Sequence, residues 1–271
     1  DMLLIFGLDL GVRGAGISTA VSQYISMAIL ISPFLRGKVQ SRLNIRYVTR
    51  QFSDVSNILA TGFPSLMRQG LNSVSVMVLN RFAGPYGDAA IAAMSIVTRI
   101  INFLFCVALG IGQGFQPVSA FNYGAGKYKR IYEGMRKGFF ICIFISLAAS
   151  AICVFGGRFI VSWFVSNPSE EIFDYAMQYL NTISFFMLPL AWIFLYRNAL
   201  QGLNRGLVPM LSGVVEMVCR IIVIAVTLNP FGYWAVRLAS PITWLITGIL
   251  LIVTYFIWEK QSRKKHSGSS D

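Results

Sequence analysis

Residues 138–157 read GFFICIFISLAASAICVFGG, twenty consecutive positions without a charge between Lys137 and Arg158. A helix of that length rises about 30 Å, which is the thickness of the hydrocarbon core of a bilayer. The whole chain has this character, since 55% of its 271 residues are hydrophobic, only 13% are charged, and the mean hydropathy is +0.63. The sequence therefore predicts an integral membrane protein and excludes the water-soluble, disordered and disulfide-rich classes.

Seven apolar stretches are long enough to cross a membrane as helices. They cover 14–35, 55–81, 89–120, 134–156, 172–200, 207–228 and 233–258. A further apolar piece, Phe159 to Val165, is too short to span, and we predict an interfacial turn there, capped by Asn167 and Pro168. The predicted fold class is all-α, a polytopic membrane protein with seven transmembrane helices.

The basic residues predict the orientation, because cytoplasmic loops of membrane proteins are enriched in Lys and Arg. One set of alternate loops contains fifteen such residues and the other contains four. The smaller set comprises Arg13, Arg81, Arg158 and Arg237. We therefore expect the 36–53 and 123–137 loops and the tail after Trp258 in the cytoplasm. The net charge of +12 is thus explained by topology, and no nucleic-acid partner is predicted.

One face of the second span is polar. Its residues recur at steps of three and four after Pro64, namely Ser65, Arg68, Gln69, Asn72, Ser75 and Asn80. Such a face is unsuited to lipid, so it either forms interhelical hydrogen bonds or lines a water-filled cavity. The charge of Arg68 within a span favours the cavity.

The third span has polar and small residues at helical spacing, namely Arg99, Asn102, Cys106, Gly110, Gln113 and Pro117. Gly110, Gly112 and Gly114 alternate just before Gln116 and Pro117. Two interpretations are open. The proline permits a bend that serves lobe motion, or the glycines allow close packing against a neighbouring helix.

Glu216 is the only acid deep within a span, and Arg220 follows it by one helical turn. The two residues form either a structural ion pair or a proton or cation site in which Arg220 keeps Glu216 ionised. Arg197 lies near the predicted cytoplasmic end of its span and is expected to extend its charge to the interface. The sequence shows no nucleophile with a base, no metal-ligand spacing among its four cysteines and no phosphate-binding loop, so no enzyme is predicted.

The opening of the first span, Phe6 to Thr19, is similar to the opening of the last, Phe231 to Ser240. Such a repeat is typical of transporters built of two similar halves. It predicts that residues 1–53 are the last helix of one lobe plus a cytoplasmic linker, that 54–258 form a six-helix lobe, and that 259–271 are a basic cytoplasmic tail. By this arithmetic five helices precede Asp1, and the chain is a fragment of a longer protein.

Three stretches carry a resemblance to a known family. They are Gly11-Val-Arg-Gly-Ala-Gly-Ile-Ser-Thr19, Gly62-Phe-Pro64 with the polar face that follows it, and Gly112-Gln-Gly-Phe-Gln-Pro117 through Asn122-Tyr-Gly-Ala-Gly126. On these stretches the chain, from Leu3 to about Trp258, resembles the multidrug and toxic compound extrusion (MATE) family. The resemblance implies an antiporter of the plasma membrane, driven by protons or sodium ions and without a cofactor. Such an antiporter exports amphipathic, often cationic, organic compounds through a cleft between two lobes, and we expect one of these lobes to be missing from this chain.

The chain departs from the pattern of this family at one position. The sodium-coupled branch of the family has a carboxylate eight residues after the proline of its Gly-x-Pro motif, and this chain has Asn72 there. An amide has no titrating proton, so we lean towards proton coupling through an acid in the missing lobe. The predicted substrate and ion cavity is lined by Arg68, Gln69, Asn72, Arg99, Gln113, Gln116, Glu216 and Arg220.

Two other functions remain open. A flippase for a lipid-linked precursor, from the same wider superfamily, would use Arg68, Arg99 and Arg220 for anionic headgroups. A membrane enzyme or assembly subunit would need a cluster of His, Asp and Glu at the membrane interface, and the sequence offers none.

Overall fold

The computed structural model describes residues 11–37, 51–164 and 169–267, and within these ranges the protein is all-helical. A bilayer core offers no water to backbone amides, so a helix, which satisfies them internally, is the expected element. The helices are α1 (Gly11–Leu35), α2 (Phe52–Ala83), α3 (Asp88–Gly124), α4 (Tyr128–Phe164), α5 (Glu170–Ser184), α6 (Met187–Gly202), α7 (Leu207–Phe231) and α8 (Tyr233–Ser267). A short 3-10 turn, Gly84–Tyr86, precedes α3.

Five helices are long and apolar enough to cross a membrane, namely α1, α3, α4, α7 and α8. The α5 and α6 helices meet the same length and hydropathy criteria together, with a bend of 59° at Phe185 and Phe186, and they make a sixth span if the pair is counted as one. The α2 helix, with 32 residues, is long enough to cross a membrane, but its polar face lowers its mean hydropathy and it is not among these five helices. The prediction of an all-α polytopic membrane protein is confirmed, and the count of seven spans stays a prediction.

The chain divides into two compact units, residues 1–58 and 59–271. The α1 helix belongs to the first, and the helices from α3 onwards belong to the second. The assignment of α1 to a partner lobe and the predicted boundaries at 53 and 258 stay predictions.

Two local predictions are wrong. The turn predicted for Phe159 to Val165 is helical as far as Phe164, because α4 continues and buries Val161 completely against the core. Asn167 and Pro168 lie outside the described residues. Arg237, counted above as a loop residue, is buried in α8. Its guanidinium donates to the Gln178 backbone carbonyl oxygen at 2.7 Å and to Thr182 Oγ1 at 2.8 Å, so α5 provides acceptors for its donors.

The α3 helix ends as the Asn122 to Gly126 stretch requires. Gly126 has φ of +69°, a left-handed conformation that glycine adopts without a steric penalty. The Lys127 amide donates to the Asn122 carbonyl at 2.8 Å, and the Gly126 amide donates to Tyr123 at 3.1 Å. This pair of bonds is a Schellman motif, which closes the helix and releases the chain towards α4.

The core of the second unit lies where α3 crosses α6. Gly112 makes this approach possible, because a Cβ at that position would lie 2.6 Å from the carbonyl oxygen of Phe194 and 2.9 Å from Asn198 Nδ2. Gly110 and Gly114, in contrast, have open space around them. Close packing therefore explains Gly112, and the role of the other two glycines in a bend stays a prediction.

This contrast predicts that Gly112→Ala destabilises the protein and that Gly114→Ala does not. The added methyl at 112 pushes α3 from α6 at an expected cost of about 1–3 kcal/mol, whereas the one at 114 gains about 1 kcal/mol of helix propensity. Thermal unfolding of both variants in detergent, followed by tryptophan fluorescence, measures the difference. Equal melting temperatures for the two variants would contradict the crossing.

Candidate functional site

Glu216 lies between two arginines. Its Oε2 accepts from Nη2 of Arg197 on α6 at 2.9 Å, and its Oε1 accepts from Nη2 of Arg220 at 3.4 Å. The exposed fraction of these side chains is only 16% for Glu216, 11% for Arg197 and 5% for Arg220. The carboxylate therefore stabilises two guanidinium groups from two helices in a largely buried position.

The network continues to α2 through hydroxyl groups. Arg220 Nη1 donates to Oγ of Ser75 at 2.5 Å, and Ser75 is buried. Three turns earlier on α2, Ser65 Oγ accepts from Nε2 of Gln201 on α6 at 2.9 Å. Polar residues on this face of α2 thus join it to α6 and α7, as expected if the face forms interhelical hydrogen bonds.

Arg68 adds a third guanidinium from α2. Its side chain packs over Gly213 of α7, where a Cβ would lie 3.3 Å from Arg68 Cγ. Arg68 is half-buried and interacts electrostatically with both Arg197 and Glu216. Gly213, Glu216 and Arg220 follow one another at helical spacing, so one face of α7 presents the glycine, the acid and the arginine to its neighbours.

The rest of the α2 polar face is open. Gln69 and Asn72 are exposed on the flank of the buried stripe that contains Arg68 and Ser75. The opposite side of α2 is apolar and also exposed, with Leu66 at 66% and Met77 at 70%. This helix therefore has three distinct surfaces: a buried polar stripe, an open polar flank and an apolar side suited to lipid.

The α3 helix carries a second open polar stripe. Arg99, Asn102, Cys106 and Gln113 are all exposed. At 100° per residue they fall on the side of α3 opposite to Val97, Ile101, Phe105 and Ala108, which are buried. Arg99 is thus outside the network around Glu216.

Gln116 lies apart from both the network around Glu216 and the open polar stripe of α3. It is half-buried and lines an open groove between the last turns of α3 and α6, together with Pro117, Tyr123, Gln201 and Asn204. Asn204 is in the left-handed region with φ of +58°, where it ends α6. The groove is next to the Schellman turn after α3.

Of the eight predicted site residues, the structure brings Arg68, Glu216 and Arg220 together. Gln69 and Asn72 flank this network, while Arg99, Gln113 and Gln116 lie apart from it. Arg197, the nearer partner of Glu216, is not among the predicted site residues. Its spacing of four from Gln201 was the available signal, because both residues point from one face of α6 towards α2 and α7.

An all-helical chain with helices apolar enough to cross a membrane, a buried ion network and two open polar faces defines the class, a polytopic membrane protein. The family model MatE matches residues 64–226, which is more than half of the chain. The chain belongs to the MatE family.

Individual relatives agree with this assignment. Multidrug export protein MepA of Staphylococcus saprophyticus is 26% identical over 264 residues, which cover 96% of this chain and 57% of that protein. MepA of Staphylococcus aureus strain MSSA476 is 28% identical over 207 residues, covering 76% of this chain and 45% of that protein. The chain thus spans about half the length of the curated relatives it matches.

Solved structures share the fold. An outward-facing multidrug resistance MATE family transporter superposes with a TM-score of 0.85 at 18% identity, over 97% of this chain and 59% of that one. The Vibrio cholerae MATE transporter VcmN in its bent form gives a TM-score of 0.81 at 17% identity, over 97% of this chain and 59% of the other.

The Arg220–Ser75 contact predicts that Ser75→Ala lowers the free energy of unfolding by about 1–3 kcal/mol, since a buried charged donor loses its acceptor. Ser73→Ala is the matched control, because the Ser73 hydroxyl bonds only to the Gln69 carbonyl on its own exposed turn. Thermal unfolding in detergent measures both. Equal stability of the two variants would show that Arg220 does not tie α7 to α2.

Proposed function

We propose that this chain forms the second lobe of a secondary transporter, which exports amphipathic organic compounds in exchange for protons or sodium ions by alternating access. One observation carries the proposal: the open polar faces of α2 and α3 lie on a membrane lobe of the MatE family. Gln69, Asn72, Arg99 and Gln113 are polar and exposed at positions where lipid contact is costly. A water-filled cleft shared with a partner lobe gives these side chains a polar environment.

The proposed topology follows from the same reasoning. Seven spans cross the plasma membrane, α2 being one of them and the bent α5–α6 pair another, with the C-terminal tail in the cytoplasm. The partner lobe belongs to the same protein, and α1 is its last helix. This arrangement is supported by the share of the relatives that the chain covers, between 45% and 59% in the four comparisons above.

The coupling ion is proposed to be the proton. Asn72 has no carboxylate to offer, and the carboxylate of Glu216 on α7 is bonded to two arginines. We infer that the titrating acid, and the charge that attracts cationic compounds, lie in the partner lobe. Glu216 then serves to position Arg197 and Arg220.

Transport by the full-length protein is expected to follow a pH gradient. Ethidium efflux from vesicles is measured under an imposed pH gradient and, separately, under an imposed sodium gradient. Asn72→Ala is expected to remain proton-driven, because an amide carries no coupling charge. Glu216→Gln is expected to lower the rate by leaving the arginines without their counter-charge, without changing which gradient drives it.

Efflux driven by sodium alone would refute proton coupling. Vesicles that contain only these 271 residues are expected not to export, because a single lobe provides one wall of the cleft. Export by this chain alone would refute the need for two lobes.

The cleft also predicts a difference in water access along α2. In a Cys106→Ser background, Asn72→Cys is expected to react with a charged, membrane-impermeant thiol reagent. Met77→Cys, on the apolar side of the same helix, is expected to stay unmodified in lipid. Labelling is followed by mass spectrometry in proteoliposomes, and equal reactivity at both positions would contradict this difference in water access.

A further inference from the structure

The charges around Glu216 do not balance. Arg68, Arg197 and Arg220 face a single carboxylate, so the cluster carries two positive charges in excess. Among the residues that the structure describes, the salt bridges of this cluster are the two made by Glu216. An uncompensated charge within a membrane helix is costly, and an anionic partner would stabilise a cluster with an excess of two.

The cluster also retains free hydrogen-bond donors. The Nε atoms of Arg68, Arg197 and Arg220 are buried and have no partner within the described part of the chain. Arg220 itself is 4% exposed, so its Nε is withdrawn from water. A buried donor without an acceptor is destabilising, and three of them on three neighbouring arginines point to a ligand with several acceptor oxygens.

The position of the cluster suits a ligand from the cleft. Glu216 and Arg220 lie about 14 and 20 Å along α7, a helix about 38 Å long, so they are near its middle. The half-buried Arg68 stands between the buried network and the open flank with Gln69 and Asn72. A molecule in the cleft thus reaches Arg68 first and the two deeper arginines behind it.

We propose that Arg68, Arg197 and Arg220 form a binding site for the oxyanion, a carboxylate or phosphate, of an amphipathic molecule. The guanidinium of Arg68 has the planar pair of N–H donors that binds such oxygens in a bidentate manner, while Arg220, whose Nη atoms are bonded to Ser75 and Glu216, adds its charge and its Nε donor. Glu216 holds two of the arginines in place and reduces their charge. This inference rests on the proposed function and adds to it a class of compounds, amphipathic molecules with an oxyanion, that this lobe binds.

Binding of 2-naphthoate to the full-length protein tests the site. The neutral 2-naphthamide has nearly the same shape, and both are measured by equilibrium dialysis against phosphatidylcholine nanodiscs, with empty nanodiscs subtracted. Naphthoate is expected to bind more than tenfold tighter than naphthamide. Equal binding of the two would overturn the proposal.

Arg68→Gln is the decisive variant, because its Nε has no protein partner to lose. It is expected to weaken naphthoate binding about tenfold, the effect of one charge-assisted hydrogen bond. Arg158→Gln, which removes an exposed arginine of α4, is the matched control and should bind as wild type does. Identical affinities for these two variants would refute the site.

Glu216→Gln gives an effect in the opposite direction. Removing the internal carboxylate raises the excess charge, so naphthoate is expected to bind several-fold tighter and to raise the melting temperature of this variant more than that of wild type. If the three arginines had only a structural role, the variant would be destabilised and naphthoate would not raise its melting temperature. That result would overturn the proposal.

Lipid is the other source of the same chemistry. If nanodiscs with phosphatidylglycerol suppress naphthoate binding in wild type, the occupant is a lipid phosphate; if they do not, it is a solute. These equilibrium measurements need no gradient. A protein that exports ethidium but does not distinguish naphthoate from naphthamide refutes this site alone, and one that binds naphthoate but exports nothing refutes the proposed function alone.

Discussion

The carboxylate of Glu216 is the contact on which the arrangement of α2, α6 and α7 depends. A guanidinium withdrawn from water is costly unless an opposite charge lies close to it. Arg197 at 2.9 Å and Arg220 at 3.4 Å share that one carboxylate, so α6 and α7 are held at a fixed rotation about their axes. Arg220 then reaches Ser75, which fixes α2 in turn. The glycine at 213 belongs to the same constraint, because it leaves room for the stem of Arg68.

Much of the fold was predictable because lipid limits the choices of a chain. Backbone groups that meet no water must bond within a helix, so runs such as 138–157 indicate helical spans. The polar face of α2 was visible for the same reason, since Ser65, Arg68 and Ser75 repeat at the helical period. Periodicity predicts which face of a helix is polar, but it does not predict which helix packs against that face.

The missed features are tertiary ones. Arg197 lies in the last two turns of α6 as predicted, but its guanidinium binds Glu216 of α7 in a largely buried position. Arg237 resembled a loop charge until Gln178 and Thr182 of α5 supplied its acceptors. In both cases the partner lies 19 or more residues away along the chain. Helical periodicity relates only residues that are a few positions apart, so it could not predict these pairings.

The three surfaces of α2 separate tasks that one helix face could not combine. Its buried stripe joins α6 and α7, its apolar side with Leu66 and Met77 suits lipid, and the flank with Gln69 and Asn72 stays open and uncharged. Because the flank carries no acid, the electrostatic potential of this lobe comes from the arginines behind it. In the proposed transporter this potential attracts negative groups, and the titrating acid lies on the facing wall. Anion binding and proton coupling then take place on different lobes.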